Sequence, residues 1–153
     1  MSCPDMTAGV MLFTVYSGKN NLKECESRKF VLPQTMNYQL TRPSPSLSGV
    51  VRHYWMLDNG LPQGEEHVQR IVPNGLTELV FYHGTRPQIS GPNAPAMDSG
   101  MISGQMQHYY DLKVTGHLSL FAVTFQPQGL SRLLNIPVSE LHNLSIPLRF
   151  LFR

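Results

Sequence analysis

The ionisable side chains best placed for chemistry in this sequence are Arg70 and Glu78, which flank Pro73-Asn74-Gly75. Proline sets φ for a type I turn, asparagine tolerates the next position, and glycine takes the left-handed position after it. A three-residue hairpin loop of this kind predicts that Arg70 faces Glu78 across two strands. The pair would contribute about 0.2–1 kcal/mol as an exposed cross-strand ion pair. If it points inward, it could hold a polar ligand instead.

The candidate ligand-binding residues combine aromatic and polar side chains on the predicted strands. A small-molecule pocket is usually apolar and aromatic, with a few placed polar groups. The residues that could form such a set here are Arg52, Trp55, Arg70, Glu78 and Gln105. The competing interpretation is that the aromatic side chains are ordinary core packing.

Motifs for metal, nucleophilic or nucleotide chemistry are missing from the sequence. No histidine has a second histidine two residues away, and no cysteine pair has zinc spacing. Ser103 lacks the Gly-x-Ser-x-Gly elbow of a hydrolase, and the glycine spacings of nucleotide-binding loops do not occur. We therefore predict no catalytic residue, no metal and no cofactor, in a protein that is not an enzyme. The histidines considered are His53, His67, His83, His108, His117 and His142.

Composition favours one mostly β domain. The chain has 153 residues, of which 14% are charged, against about 25% in an average domain. Twelve glycines and twelve prolines indicate frequent turns. The net charge of +2 almost vanishes from Met36 onward, which argues against nucleic-acid binding by these residues alone. Only two cysteines occur and no apolar run approaches the ~20 residues of a membrane span, so we expect a cytoplasmic protein.

Short strands make up most of the predicted elements. The predicted strands are 50–58, 68–72, 76–82, 101–105, 109–115 and 118–125, with 68–72 and 76–82 forming the hairpin. The last strand is apolar on both faces apart from Ser119 and Thr124, which predicts that it is the most central. Residues 1–35 hold both cysteines and a polar stretch, and we interpret them as a leader before a domain that begins at Met36. The alternative is that Val10 to Tyr16 forms an edge strand.

Two short helices are predicted near the carboxy-terminal end. Leucines at helical spacing follow Pro127 and predict the first helix, which Asn135 could end in a left-handed conformation. Pro137 suits the first turn of a second helix that extends to His142. The order of strands first and helices last fits a β-barrel with a small helical appendage.

The order of several motifs resembles the amino-terminal sensor domain of AraC-type transcriptional regulators. These motifs are Arg52-His53-Tyr54-Trp55, the Pro73-Asn74-Gly75 turn ahead of Glu78-Leu79, Gly104-Gln105, and Phe125-Gln126-Pro127-Gln128-Gly129 followed by Leu133-Leu134-Asn135-Ile136-Pro137. Asn74 replaces the aspartate usual in that family and Asn135 the usual glycine, and both changes preserve turn chemistry. The resemblance covers about residues 36–148.

The resemblance implies a cupin-like β-barrel, of the double-stranded β-helix type, that binds a small-molecule effector. Helices after the barrel would support a homodimer, with Leu130, Leu133 and Leu134 as the candidate dimerisation residues. Residues 1–35 would then be the leader, 36–148 the sensor domain and 149–153 a truncated tail. DNA would be bound only through a carboxy-terminal helix-turn-helix domain that follows in the family and is missing here. The alternatives are a stand-alone cupin-like enzyme, either an isomerase or a metal-dependent oxygenase, and a pure dimerisation module.

Overall fold

The fold consists of two antiparallel β-sheets and a short helical segment. The structure is a computed structural model that describes residues 14–16, 36–61, 66–90 and 97–151. Its strands are β1 (Thr14–Tyr16), β2 (Met36–Thr41), β3 (Val51–Gly60), β4 (Glu66–Ile71), β5 (Glu78–Gly84), β6 (Gln88–Ile89), β7 (Gly100–Ser103), β8 (Tyr110–Thr115), β9 (His117–Phe125) and β10 (Ser145–Pro147). One α-helix, α1 (Gly129–Leu134), and two 3-10 turns, Val138–Leu141 and Leu148–Phe150, complete the described elements.

The strands divide between a six-stranded sheet, in the order β10-β7-β5-β9-β3-β2, and a four-stranded sheet, in the order β1-β4-β8-β6. The mostly β prediction is therefore confirmed. So is the central position of 118–125, because β9 pairs with β5 on one side and β3 on the other. The cupin-like barrel is not confirmed, since neither sheet closes on itself among the described strands.

The predicted hairpin of 68–72 and 76–82 is wrong. β4 belongs to the four-stranded sheet and β5 to the six-stranded sheet, so Pro73-Asn74-Gly75 lies in a connection that crosses between sheets. Gly75 has the predicted positive φ of 69°, and the Leu76 amide donates a hydrogen bond to Asn74 Oδ1 at 2.9 Å. The left-handed conformation of Gly75 was thus predicted correctly. The error arose because a turn does not specify which strand its two arms will pair with.

The inner core fills the space between the two sheets. It consists of Trp55, Leu57, Val80, Val114, Leu118, Leu120 and Ala122. Side chains alternate between the faces of a strand, so even-numbered residues of β9 point inward and odd-numbered residues point to the other face. Val114 comes from β8 of the four-stranded sheet and packs against residues of the six-stranded sheet, which joins the two layers.

The outer core lies on the opposite face of the six-stranded sheet, beneath α1 and the first 3-10 turn. It consists of Val51, Ile102, Val123, Phe125, Leu130 and Leu141. Two glycines allow the covering segment to approach the sheet closely. A Cβ on Gly129 would overlap the Val50 carbonyl, and a Cβ on Gly104 would overlap the Leu141 carbonyl.

The helical prediction is confirmed in outline. α1 ends at Asn135, whose φ of 52° is left-handed as predicted. The second predicted helix is a 3-10 turn, Val138–Leu141, that follows Pro137. Strand β10, which pairs with β7, has no counterpart among the predicted strands.

The leucines proposed for dimerisation occupy three different environments. Leu130 is buried in the outer core, and Leu134 is partly buried and packs against that core. Leu133 is 58% exposed and is the most accessible of the three.

Most of the predicted leader lies outside the described residues, as do Cys3 and Cys25. Its described part, Thr14–Tyr16, pairs antiparallel with β4 at the edge of the four-stranded sheet. That arrangement agrees with the alternative of an edge strand in this region. Within the described ranges, the chain forms no helix with the length and apolar character needed to cross a membrane.

Candidate ligand-binding cavity

A cavity of about 70 Å³ lies between the two sheets, beside the inner core. Strands of both sheets contribute to its wall, which is apolar for most of its extent. The apolar and aromatic lining residues are Met36, Trp55, Leu57, Ile71, Val80, Tyr82, Pro87, Tyr110, Leu112, Val114, Leu118 and Leu120. The other described lining residues are Asn59, His67, Gln69, Glu78 and Ser103.

Glu78 is the only acidic residue among the described lining residues. Strand β5 places it on the inner face of the six-stranded sheet, where it is 9% exposed. Its Oε1 accepts a hydrogen bond from Thr124 Oγ1 at 3.0 Å and a longer one from Asn74 Nδ2 at 3.4 Å. Trp55 also donates to this carboxyl group.

Burial raises the pKa of Glu78, and the hydrogen bonds from Thr124, Asn74 and Trp55 oppose that rise only in part. A carboxylate loses its hydration when it is buried, which penalises the charged form. No lysine or arginine is found among the described lining residues to compensate that charge. Glu78 is therefore a buried acid without a cationic partner in the cavity.

Two tyrosines stand near Glu78 with their hydroxyl groups kept protonated. Burial raises the pKa of Tyr110 to about 12, with the nearby charge of Glu78 adding to the effect. The pKa of Tyr82 is also raised, mainly by burial and further by Tyr110 and Glu78. Tyr110 additionally hydrogen-bonds Ser103. Both hydroxyls can therefore act as donors to a ligand over the whole physiological pH range.

Buried amides occupy other parts of the cavity wall. Gln69 Nε2 donates to the Arg70 carbonyl at 3.0 Å. Asn59 is 5% exposed, and its Oδ1 has no hydrogen-bond partner in the described part of the chain. A buried acceptor left unpaired costs free energy. A bound donor at Asn59 would remove that cost.

Two of the five predicted ligand-binding residues line this cavity, namely Trp55 and Glu78. Arg52 is exposed on β3, at the point where an irregularity shifts the pairing with β9. Gln105 Nε2 donates to the Gly75 carbonyl at 3.0 Å. This hydrogen bond stabilises the connection between β4 and β5. None of the other three predicted residues is among the described lining residues.

The predicted partnership of Arg70 with Glu78 is wrong. Arg70 pairs across the ladder with Asp111 of β8, and its guanidinium donates to both Asp111 oxygens, at 2.8 and 3.0 Å. It also lies 4.2 Å from the centre of the Tyr109 ring. The hydrogen bond from Arg70 lowers the pKa of Asp111. Arg70 is thus engaged with its own sheet, on a different face from the cavity that holds Glu78.

Asn59, Gln69, Tyr82 and Tyr110 were missed as site residues. A usable signal existed for Asn59, because Trp55, Leu57 and Asn59 alternate along one strand and share a face. The same reasoning places Tyr82 on the face of Glu78 and Val80. No local pattern indicated Gln69 and Tyr110, because their inward position depends on the pairing of β4 with β8.

A series of hydrogen bonds runs from Glu78 toward the carboxy-terminal segment. Asn74, which contacts Glu78, precedes Gly75, whose carbonyl accepts from Gln105 Nε2. The Gln105 carbonyl in turn accepts from the Asn143 amide at 3.0 Å. Asn143 follows the first 3-10 turn. The cavity wall and this segment are therefore joined by successive direct contacts.

A wider cleft, of about 770 Å³, lies on the outer face of the six-stranded sheet. Met56, Phe81 and Phe121 are exposed along it. At its rim, Asp98 forms ion pairs with Arg149 at 2.6 Å and Arg86 at 3.7 Å. The cleft is large enough for a ligand, but it is open to solvent and its charged groups are already paired. The inner cavity is the better candidate because its polar groups are enclosed and incompletely paired.

No cluster of three or more His, Cys, Asp or Glu side chains suited to a metal ion occurs within the described ranges. His117 Nε2 instead lies 3.0 Å from Asp58 Oδ1, at the exposed first residue of β9. That contact lowers the pKa of Asp58.

Comparison with protein families gave one match. A family model described as a domain of unknown function, DUF6597, matches residues 39–147. Searches of curated proteins and of solved structures gave no match. The matched region makes up more than half of the chain and includes Trp55, Glu78 and most of the cavity wall. The chain therefore belongs to the DUF6597 family.

Proposed function

We propose that this chain is the ligand-sensing and dimerising domain of an AraC-type transcriptional regulator in the cytoplasm. The enclosed cavity between the sheets is the observation that carries the proposal. Its wall is apolar and aromatic with a few polar groups, which is the usual composition of a small-molecule site. The order of motifs that resembles the AraC-type sensor region supports the same assignment.

The size of the cavity limits the effector that it can take. A cavity of about 150 Å³ holds a benzene molecule, and this one measures about 70 Å³. The enclosed part of the effector is therefore a group of a few non-hydrogen atoms. The rest of a larger effector would extend through the opening of the cavity or displace side chains of its wall.

Dimerisation, in this proposal, uses the exposed side of α1. Leu133 is available for contact there, whereas Leu130 is committed to the outer core. In a sensor domain of this kind, a change at Glu78 on ligand binding would reach the segment at Asn143 through the hydrogen bonds that join them.

The proposal is tested by thermal unfolding of the purified chain against a collection of small polar and aromatic molecules. A ligand that binds only the folded state raises the unfolding midpoint. We expect at least one compound to do so, and its effect to be lost in Val114→Phe, which fills the cavity. The matched control is Val72→Phe, the same change at an exposed position.

Protection that is equal in Val114→Phe and in the unmodified chain would place the ligand outside the cavity and contradict the proposal. Loss of protection in Val72→Phe would also contradict it. The oligomeric state is measured in parallel by analytical ultracentrifugation, with and without the compound.

A further inference from the structure

We propose that the cavity binds its effector through a protonated amine, and that Glu78 is the group that anchors this ammonium. The inference rests on the proposed function, because it assigns a chemical class to the ligand of the same cavity. The ligand group is a short primary ammonium, held at the end of the cavity where Glu78, Trp55 and Tyr110 meet.

The charge of the cavity wall is the first argument. Glu78 is buried on the inner face, and the described lining residues include no lysine or arginine. Buried charges in proteins are normally paired. An ammonium ion would supply the missing positive charge. A carboxylate or phosphate would instead place a second negative charge in a poorly hydrated space.

The position of the histidine that lines the cavity strengthens this argument. His67 lines the cavity and pairs with Val114, whereas Ile71 of the same strand pairs with Tyr110. Tyr110 hydrogen-bonds Ser103, and Ser103 pairs with Glu78. His67 is four residues from Ile71, or about 13 Å along the strand. It is therefore poorly placed to serve as the cation for Glu78.

Hydrogen-bonding capacity points to the same ligand. An ionised carboxylate accepts about four hydrogen bonds, and an ammonium group donates three and accepts none. Glu78 receives one short bond from Thr124, a longer one from Asn74 and one from Trp55. The carboxylate of Glu78 can therefore accept about one further hydrogen bond, which an ammonium group would donate.

The aromatic wall is the third argument. Trp55, Tyr82 and Tyr110 line the cavity together with Glu78. A cation beside such rings is attracted by their negative faces. A buried acid bordered by aromatic rings is a chemically suitable receptor for an alkylammonium ion. The small volume restricts the enclosed group to a short alkyl chain.

The single tryptophan of the chain, Trp55, supplies the probe for the test. Its indole N–H resonance is followed by NMR in the nitrogen-15-labelled full chain while ethylammonium chloride is added near neutral pH. Ethanol and sodium propionate serve as neutral and anionic ligands of similar size. We expect ethylammonium to shift the Trp55 resonance in a saturable manner and the other two compounds to have little effect.

Two variants separate anchoring from general charge effects. Glu78→Gln keeps the shape of the side chain but removes its charge and replaces one acceptor oxygen by an N–H donor, and we expect affinity for ethylammonium to fall at least about tenfold. The control is Glu66→Gln, because Glu66 pairs with Lys113 on an exposed part of the four-stranded sheet. We expect its affinity to be unchanged.

The unmodified chain gives a second measurement if Glu78→Gln does not fold. Binding of a cation favours ionised Glu78, so affinity should rise as the pH is raised through the pKa of Glu78 and then level off. Other titratable groups near the cavity are Tyr38, Tyr82, Tyr110, His53 and His67. The tyrosines titrate far above this range, and the variants His53→Gln and His67→Gln remove the contributions of the two histidines.

Saturable binding of propionate or ethanol in place of ethylammonium would overturn the ammonium inference but leave the sensing proposal standing. Equal affinity in Glu78→Gln and in the unmodified chain would also overturn it. If no ligand in this series shifts Trp55 and no compound in the thermal screen depends on Val114, both proposals fail.

Discussion

The two hydrophobic cores of this domain differ in what they bury. The outer core, beneath α1, packs apolar side chains together, and Phe125 and Leu130 are each 1% exposed there. The inner core, between the sheets, is bordered by Glu78, Gln69 and Asn59 and by a cavity. Buried polar groups and voids cost stability. The outer core therefore contributes more to stability than the inner core, which borders polar groups and a cavity.

The largest effect that this comparison predicts is at Phe125. Phe125→Ala should lower the free energy of unfolding by about 3–5 kcal/mol, because the ring is fully enclosed and the cavity left behind cannot easily collapse. Chemical denaturation monitored by circular dichroism measures the change. A loss below about 1 kcal/mol would mean that the outer core is not the main source of stability.

Replacement of Glu78, unlike that of Phe125, should raise the free energy of unfolding at neutral pH. Burial raises the pKa of Glu78 in the folded state, so the folded chain holds this proton more tightly than the unfolded chain. Stability is then lost as the pH rises from the unfolded pKa through the folded one. Glu78→Gln should therefore be more stable than the unmodified chain at neutral pH. The difference should shrink below pH ~4.3, where the carboxyl group is protonated even in the unfolded chain.

Denaturation curves at several pH values give this difference directly. The acids with lowered pKa, Asp58, Asp98 and Asp111, lose their contribution as the pH falls, and they do so equally in both proteins. A Glu78→Gln variant that is less stable at neutral pH would show that the carboxylate stabilises the folded state rather than destabilising it.

Phe121 lies on the outer face of the six-stranded sheet, beyond the part that α1 and the first 3-10 turn cover. It lies on the same strand and face as Phe125 but is 37% exposed, and its ring stacks on Tyr54 with 5.9 Å between centroids. Phe121→Ala should cost about 1 kcal/mol, since an aromatic pair contributes about 0.5–1.5 kcal/mol beyond area burial. A cost similar to that of Phe125→Ala would indicate that the open cleft is as tightly packed as the covered half.

The smallest stability effect is expected at Leu133. Leu133→Asp changes an exposed position on α1, so the free energy of unfolding of the monomer should change by less than about 0.5 kcal/mol. The proposed dimer should nevertheless dissociate at higher protein concentration than the unmodified dimer. Sedimentation equilibrium of both proteins measures the two dissociation constants, and equal values would remove α1 from the dimer interface.

Local patterns in the sequence predicted the local features of the fold, and they failed where strands separated along the chain must pair. The apolar run of β9 and the helix that ends at Asn135 were predicted correctly, because periodicity and cap chemistry reside in adjacent residues. The pairing of Arg70 with Glu78 was wrong, because the same turn chemistry serves a hairpin and a crossing between sheets. Glu78 does line the candidate cavity, although its predicted partner was wrong.

The remaining site residues depend on the same non-local pairing. Tyr110 and Gln69 enter the cavity wall only because β4 and β8 pair and pack their common face against the other sheet. Strand β10 is equally inaccessible to sequence patterns, since it has three residues and contains a proline. Its position against β7 is fixed by the tertiary fold rather than by its own propensity.

The contacts that join Glu78, Asn74, Gly75, Gln105 and Asn143 have a thermodynamic consequence. A ligand that changes the hydrogen bonds of Glu78 alters the first of these contacts, and the others connect it to the segment after the 3-10 turn. If the two ends are coupled, the coupling free energy must be the same in both directions. A second molecule that binds at Asn143 would then change the affinity of the cavity for its ligand by some factor. The ligand would change the affinity of the Asn143 region for that molecule by the same factor.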